Sequence, residues 1–165
     1  MRFRDAIEVD LERIVAIYNE SIPGRMATAD TSPVTVESRR EWFLAHSPGR
    51  RPLWVAEGTT RDILGWLSFQ DFYGRPAYAA TAEVSIYVAG EARRTGIGRR
   101  LLEKGIRDSS ELGIKTLVGF IFGHNIPSLG LFQKYGFEQW ALLPRIASLD
   151  GTERDLFILG RRTDK

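Results

Sequence analysis

The run Arg93-Arg94-Thr95-Gly96-Ile97-Gly98-Arg99-Arg100 places two glycines one residue apart among four arginines. Glycine lets a backbone come close to a ligand. The first N–H groups of a helix have no intrahelical partners, so a helix opening here would present free amides and the positive end of its dipole to an anion. The arginines add charge-assisted donors, which suits a ligand carrying several phosphates. Two other phosphate motifs do not fit. A dinucleotide Gly-x-Gly-x-x-Gly would need glycine where Leu101 stands, and a P-loop needs Gly-Lys followed by Ser or Thr. Taken alone, the residues leave a plainer reading open, in which the glycines relieve crowding at a tight turn and the arginines lie on a solvated helix face.

The rest of the composition narrows the chemistry. With no cysteine in 165 residues, disulfides, thiolate zinc sites, iron–sulfur clusters and cysteine nucleophiles are excluded together, and two histidines, His46 and His124, are too few for a His-rich metal site. There is no Gly-x-Ser-x-Gly elbow, and neither histidine has a recognisable nucleophile partner. His124 reads as a loop residue hydrogen-bonded to backbone. The 23 Lys and Arg nearly balance 21 Asp and Glu, and a net charge of +2 gives neither the field of a nucleic-acid binder nor that of a polyanion. No aromatic stacking array accompanies the arginines at 93–100. The N-terminus reaches charged residues before any apolar run long enough for a signal peptide or a membrane span, so a soluble, cytoplasmic protein is expected. Without a repeat, low-complexity tract or long linker, one domain over 1–165 is the expected organisation.

Elements must position these groups. Residues 2–7 predict a short strand, followed by a helix capped by Asp10, with Leu11, Ile14, Val15 and Tyr18 at helical spacing. Residues 21–33, with Pro23, Gly24 and Pro33, read as a long loop of the kind often used for binding, before a second helix at 36–46 capped by Thr35. Strands at 53–57 and 63–69 join through a hairpin turn, and 80–88 continues the run. After the glycine turn comes a helix with Ile97, Leu101, Leu102 and Ile106 on one face, ended by Gly113. A buried strand at 116–121, a short helix at 126–135 and strands near 138–146 and 152–160 across Asp150-Gly151 complete the chain. Antiparallel strands followed by crossovers predict a mixed α/β fold: a central, mostly antiparallel twisted sheet of about seven strands flanked by about four helices. Trp42, Trp54, Trp66 and Trp140 read as core or interface aromatics without chemistry.

In this strand–turn–helix setting, Arg93-Arg94-Thr95-Gly96-Ile97-Gly98 resembles the Q/R-x-x-G-x-G/A signature of the GNAT superfamily of N-acetyltransferases. Asn125-Ile126-Pro127-Ser128 followed by Leu131-Phe132-Gln133-Lys134-Tyr135-Gly136-Phe137 is similar to that family's second block. Ala16-Ile17-Tyr18-Asn19, Arg75-Pro76-Ala77-Tyr78 and Thr81-Ala82-Glu83-Val84-Ser85-Ile86-Tyr87-Val88 resemble its phosphinothricin and methionine sulfoximine acetyltransferase branch. The resemblance spans nearly the whole chain and is weakest over 21–33.

The resemblance implies the GNAT fold and acetyl-CoA as donor, without a metal. Its pyrophosphate would lie on backbone N–H groups from Arg94 to Arg99, in a cradle made by Arg93, Arg94, Thr95, Gly96, Ile97, Gly98 and Arg99. Its pantetheine arm would pair with Ile86, Tyr87 and Val88 as an added strand, and Asn125 and Lys134 would contact the arm or the nucleotide end. A homodimer is implied by the same branch. Amine acetylation needs a proton acceptor, because an amine of pKa about 8 to 10 is mostly protonated at neutral pH. Glu83 is the expected base, its partial burial raising its pKa, and a Glu at this position has that role in the resembling branch; pairing with an arginine or orienting the substrate is the competing role. A backbone N–H at 86–88 would bind the developing oxyanion, a donor type worth about 3 kcal/mol, and direct transfer without an acyl-enzyme follows from the lack of a nucleophile. Many family members have Tyr where Phe132 stands, as the acid that protonates the leaving thiolate; here solvent is expected to do so, and Tyr135 need not point the same way. Arg75 and Tyr78 could hold an acceptor's carboxylate, favouring a small amino-acid-like acceptor; a solvated Arg75 with Tyr78 packed on the core is the equally weighted alternative. Polyamines, aminoglycosides, protein N-termini and a non-catalytic CoA-binding role remain as alternatives. An acidic pocket would favour the cationic acceptors, and a cationic pocket the amino acids.

Overall fold

A computed structural model describes residues 1–163. In chain order the elements are β1 (Arg2–Asp5), α1 (Leu11–Ser21), α2 (Val36–Leu44), β2 (Leu53–Glu57), β3 (Ile63–Asp71), β4 (Thr81–Val88), α3 (Ile97–Asp108), β5 (Thr116–Phe122), α4 (Ile126–Lys134), β6 (Glu138–Leu149) and β7 (Thr152–Arg162). The strands form one seven-stranded sheet in the order β1-β2-β3-β4-β5-β7-β6. Every neighbouring pair is antiparallel except β4 and β5, which run parallel. This is the mixed, mostly antiparallel sheet with four α-helices that the order of segments predicts. No helix among the described residues is long and apolar enough to cross a membrane.

The core follows from the two periodicities. On α3, Ile97, Leu101 and Leu102 are buried while Arg99 and Arg100 face solvent, and each such Leu or Ile contributes about 1.5–3 kcal/mol by leaving water. Gly105 lets the helix lie close on the sheet, since a Cβ there would come within 3.0 Å of Leu67 Cδ1 and 3.3 Å of Phe69 Cζ. On β4, Ala82 and Val84 are buried, and by the period of two Glu83, Ser85 and Tyr87 project to the opposite face. That face receives α1 and α2.

Three local expectations change. Asp10 stands before α1, but its carboxylate makes no cap there. It accepts the Ile7 N–H at 2.8 Å and pairs with the Arg4 guanidinium at 2.6 Å, because a preceding 3₁₀ turn at Glu8–Asp10 brings those donors nearer than the helix amides. Thr35 does cap α2, accepting from Ser38 N at 3.1 Å, but the helix ends at Leu44. α3 ends at Asp108, where Lys104 pairs with Asp108 and the Ser109 hydroxyl donates to Ile106 O at 2.7 Å; Gly113, at φ +69°, serves the following turn. Of the tryptophans expected in the core or at an interface, Trp54 and Trp66 are buried in the core and Trp140 is 47% exposed on outermost β6.

Candidate active site

The parallel pair at the middle of the sheet comes apart. Thr81, Ala82 and Glu83 of β4 register with Thr116, Leu117 and Val118 of β5, and the ladder stops there, although β4 continues to Val88 and β5 to Phe122. Beyond Glu83, β4 keeps its pairing with β3 on one side and has no strand on the other. The edge at Ile86–Val88 is therefore open to pairing with an extended ligand, as a sheet edge is in strand addition. Residues of both strands, with Asn125, Ser128 and Phe132 of the α4 region, line a narrow cavity of about 60 Å³ in the gap.

At the C-terminal end of β4 the chain turns into α3 through Arg94 at φ +63° and Gly96 at φ +86°. Gly96 occupies the N-cap without a side-chain cap, so the first amides of α3 remain available to an anion. Arg93, Arg94, Thr95, Arg99 and Arg100 are exposed around this end, Arg99 lying 3.8 Å from Glu103 and Thr95 Oγ1 donating to Ala92 O at 2.6 Å. The turn thus brings together the residues singled out at 93–99 next to the free edge at 86–88.

Glu83 sits where the strands part. Its carboxylate accepts the Ser85 hydroxyl at 3.4 Å and forms no ion pair among the described residues. Burial pushes its pKa up from the ordinary carboxylate value, and the Ser85 hydrogen bond opposes this. Glu83 borders a cavity of about 180 Å³ under α1 and α2, and also a more open groove of about 450 Å³ reaching Ile146, Ala147 and Leu156. The smaller cavity is walled by Ile14, Val15, Trp42 and Trp66, with Tyr87 between it and the gap. Tyr87 stacks on Trp66 at 4.6 Å and donates to Ala27 O at 3.1 Å; burial raises its phenol pKa, so it stays protonated.

The segment between α1 and α2 is the roof. Asn19 clamps it with Nδ2 donating to Val34 O and Oδ1 accepting from Val34 N, both at 2.9 Å. Asn125 caps α4 through Ser128 N at 3.3 Å and donates Nδ2 to Met26 O at 3.0 Å, while His124 Nε2 lies 2.7 Å from Arg25 O. Tyr18 bonds to Thr28 and Asp30, and Asp30 accepts from Arg39 at 2.8 Å.

The predicted residues thus separate into groups. Glu83, Ile86, Tyr87, Val88 and the 93–99 turn share one continuous region. Asn125 lies on it, with its side chain engaged by protein partners. Lys134 is exposed at the end of α4. Tyr135 donates to Glu103, outside the cavities bordered by Glu83. Phe132 packs on Phe137 at 4.8 Å in the floor of the gap and offers no proton. Arg75 and Tyr78 are exposed in a separate recess of about 110 Å³ with Arg50 and Asp71, which shares no residue with the Glu83 cavity. The sequence reading missed Arg39, Trp42, Trp66 and Gln70, which line that cavity. Only the aromatic types gave a signal, and it pointed to packing.

Residues 12–137 match the acetyltransferase (GNAT) family. A Bacillus subtilis protein, YwnH, described as a candidate phosphinothricin acetyltransferase, is 54% identical over 98% of this chain and 98% of its own length. An L-methionine sulfoximine/L-methionine sulfone acetyltransferase of Pseudomonas paraeruginosa is 31% identical over 98% of this chain and 94% of its own. The crystal structure of a GNAT superfamily phosphinothricin acetyltransferase from Sinorhizobium meliloti, in complex with acetyl-CoA, superposes with a TM-score of 0.92 at 29% identity, over 98% of this chain and 87% of that one. An open strand edge leading to an uncapped helix N-terminus, joined to a match over most of the sequence, means that this chain belongs to the acetyltransferase (GNAT) family and is an acetyl-CoA-dependent N-acetyltransferase.

Proposed function

We propose that the protein acetylates the primary amine of a small amino-acid-like acceptor of the phosphinothricin or methionine sulfoximine type, by direct transfer with Glu83 as general base. The observation that carries this is a half-buried carboxylate without an ion-pair partner among the described residues, at the last paired position of β4 and β5 and bordering both the acceptor-sized cavity and the more open groove. The names of the relatives support the acceptor class. So does the cavity, whose volume of about 180 Å³ lies below the roughly 300–1,000 Å³ of drug-sized sites.

The residues present fit the donor, which when bound supplies an acetyl thioester. In this reading the free edge at Ile86–Val88 pairs with its extended arm and the amides of 94–99 with its diphosphate, with Arg93, Arg94 and Arg99 around them. The amine enters the cavity protonated. Glu83, its affinity for protons increased by burial, removes one proton directly or through water. The amine lone pair then forms the N–C bond at the thioester carbon, the C–S bond breaks as the oxyanion collapses, the second proton leaves the nitrogen to solvent as the neutral amide forms, and the thiolate takes its proton from solvent because Phe132 has none to give. No acyl-enzyme is needed, since the sequence has no cysteine and the serines lining the cavity, Ser68 and Ser85, have no histidine or lysine partner among the described residues. The whole described chain acts as one domain in this reading, and as a homodimer, for which exposed Trp140, Leu142 and Ile146 of β6 offer apolar surface; the molar mass in solution tests that.

The test of the function is thiol release from acetyl-CoA with methionine sulfoximine, phosphinothricin, proteinogenic amino acids, polyamines, aminoglycosides and peptides offered separately. Turnover confined to the small amino acids is expected. Preference for polyamines or aminoglycosides would overturn the acceptor class, and thiol release with none of them would overturn the enzymatic reading of this site.

A further inference from the structure

We propose that Arg39 selects the acceptor, its guanidinium binding an anionic group, a carboxylate or a similar acid, on the same molecule whose amine meets Glu83. This rests on the reading of the cavity as the acceptor site and goes beyond it by assigning the residue that discriminates among amines. Of the side chains lining the cavity, Arg39 is the only basic one and Glu83 the only acidic one. They form no ion pair with each other; the carboxylate paired with Arg39 is Asp30, outside the lining, so the cavity presents a guanidinium and a carboxylate at separate places. A molecule with an ammonium and an acid group is complementary to such a pair. A polycation would meet Arg39 as a like charge, and an anion without the amine would meet Glu83.

Arg39 is also held in place before any ligand arrives. Its Cζ lies 4.7 Å from the centre of the Tyr18 ring and its Nη2 donates to Asp30 at 2.8 Å. Asp30 in turn accepts the Tyr18 hydroxyl. One edge of the guanidinium is thereby fixed, while Nε and Nη1 have no protein acceptor among the described residues. Those N–H groups remain free to donate to the oxygens of an acid, with little further ordering cost. The indoles of Trp42 and Trp66 and the side chains of Ile14 and Val15 complete an apolar wall, against which a charge-assisted hydrogen bond is stronger than in water.

The competing role for Arg39 is a strap that only holds Asp30 and the roof. Two variants separate the roles. Arg39→Gln removes the charge and the guanidinium donors; Asp30→Asn weakens the strap and leaves Arg39 charged. For each protein, kcat and KM are measured by thiol release with methionine sulfoximine and with its carboxamide, at saturating acetyl-CoA. Binding of the N-acetylated acid and N-acetylated amide to the CoA-loaded protein is measured by calorimetry, with thermal melts as the control for folding. The expected result is an acid-over-amide preference in the wild type that falls about 10- to 100-fold in Arg39→Gln, through KM of the acid, and persists in Asp30→Asn. Three outcomes would overturn the proposal: an unchanged preference in Arg39→Gln, an equal loss in both variants, or a wild type that binds acid and amide alike. Acid-selective binding without turnover would leave Arg39 confirmed and refute the proposed reaction instead.

Discussion

Replacing Glu83 by Gln keeps the shape of the side chain and removes its ability to take a proton. Because Glu83 is the only acidic residue lining the acceptor cavity, no neighbouring carboxylate takes over. A positioned general base is worth about 10²- to 10⁴-fold, so kcat should fall by that factor, equivalent to about 2.7–5.5 kcal/mol of barrier. KM for acetyl-CoA should stay within about twofold, since the contacts assigned to the donor are backbone groups on β4 and the α3 terminus. The pH profile gives a second readout. Burial pushes the Glu83 pKa above the ordinary carboxylate range, so kcat/KM of the wild type should fall on acidification at a higher pH than a free glutamate would give, and this limb should be absent from Glu83→Gln. The assay is initial-rate thiol release from pH 5 to 9. Unchanged kcat, or an acidic limb that survives the substitution at the same pH, would falsify the assignment of the base.

Burial of Glu83 also predicts a stability effect. Its proton is held more tightly in the folded state than in the unfolded chain, so between the two pKa values the folded state binds more protons and stability falls as pH rises. Glu83→Gln should therefore melt above the wild type at pH 8, with the difference shrinking as pH drops through the raised pKa; thermal melts across pH read this, and a lower melting temperature at pH 8 would count against it. Gly98→Trp should abolish donor binding while retaining the fold, because a Cβ at 98 meets Val88 Cγ2 at an ordinary 3.5 Å and the indole must extend beyond it. In a melt with acetyl-CoA at 100 times the wild-type Kd, the stabilisation of about 2.7 kcal/mol expected for wild type should vanish, and its survival would show the cradle to be elsewhere. Asn125→Ala removes the α4 cap and the strap to Met26 O. A cost of about 1 kcal/mol for the cap, or about 2–4 °C in a chain of this size, should accompany a rise in KM for the acceptor, and an unchanged KM would mean that the strap is idle.

The elements and their order were legible because local patterns carried them: alternation on β4, the apolar stripe on α3, and a two-residue turn at Asp150-Gly151 with both φ values positive. The donor side of the proposed site could be read for the same reason, since a strand, a glycine turn and a helix N-terminus adjoin in sequence. Glu83 was legible through the resemblance, and its burial follows from the strand period. The acceptor side was not. Arg39 and Trp42 lie on α2, Trp66 and Gln70 on β3, and they meet Glu83 only because the sheet order places β3 beside β4 and the 22–35 segment folds over both. No spacing rule encodes such a meeting. Asp10 failed for a related reason: a capping residue type was present, but Arg4 and the Ile7 amide compete for its carboxylate. Arg75 and Tyr78 have suitable chemistry, yet the turn after β3 places them in a different recess.

The most direct test is a crystal structure of this protein with acetyl-CoA. The arm should run along Ile86–Val88 in the gap between β4 and β5, its diphosphate should receive hydrogen bonds from the amides of 94–99, and the acetyl carbon should lie within reach of an amine hydrogen-bonded to Glu83. A donor bound with its acetyl group remote from Glu83, or outside the gap altogether, would contradict the account.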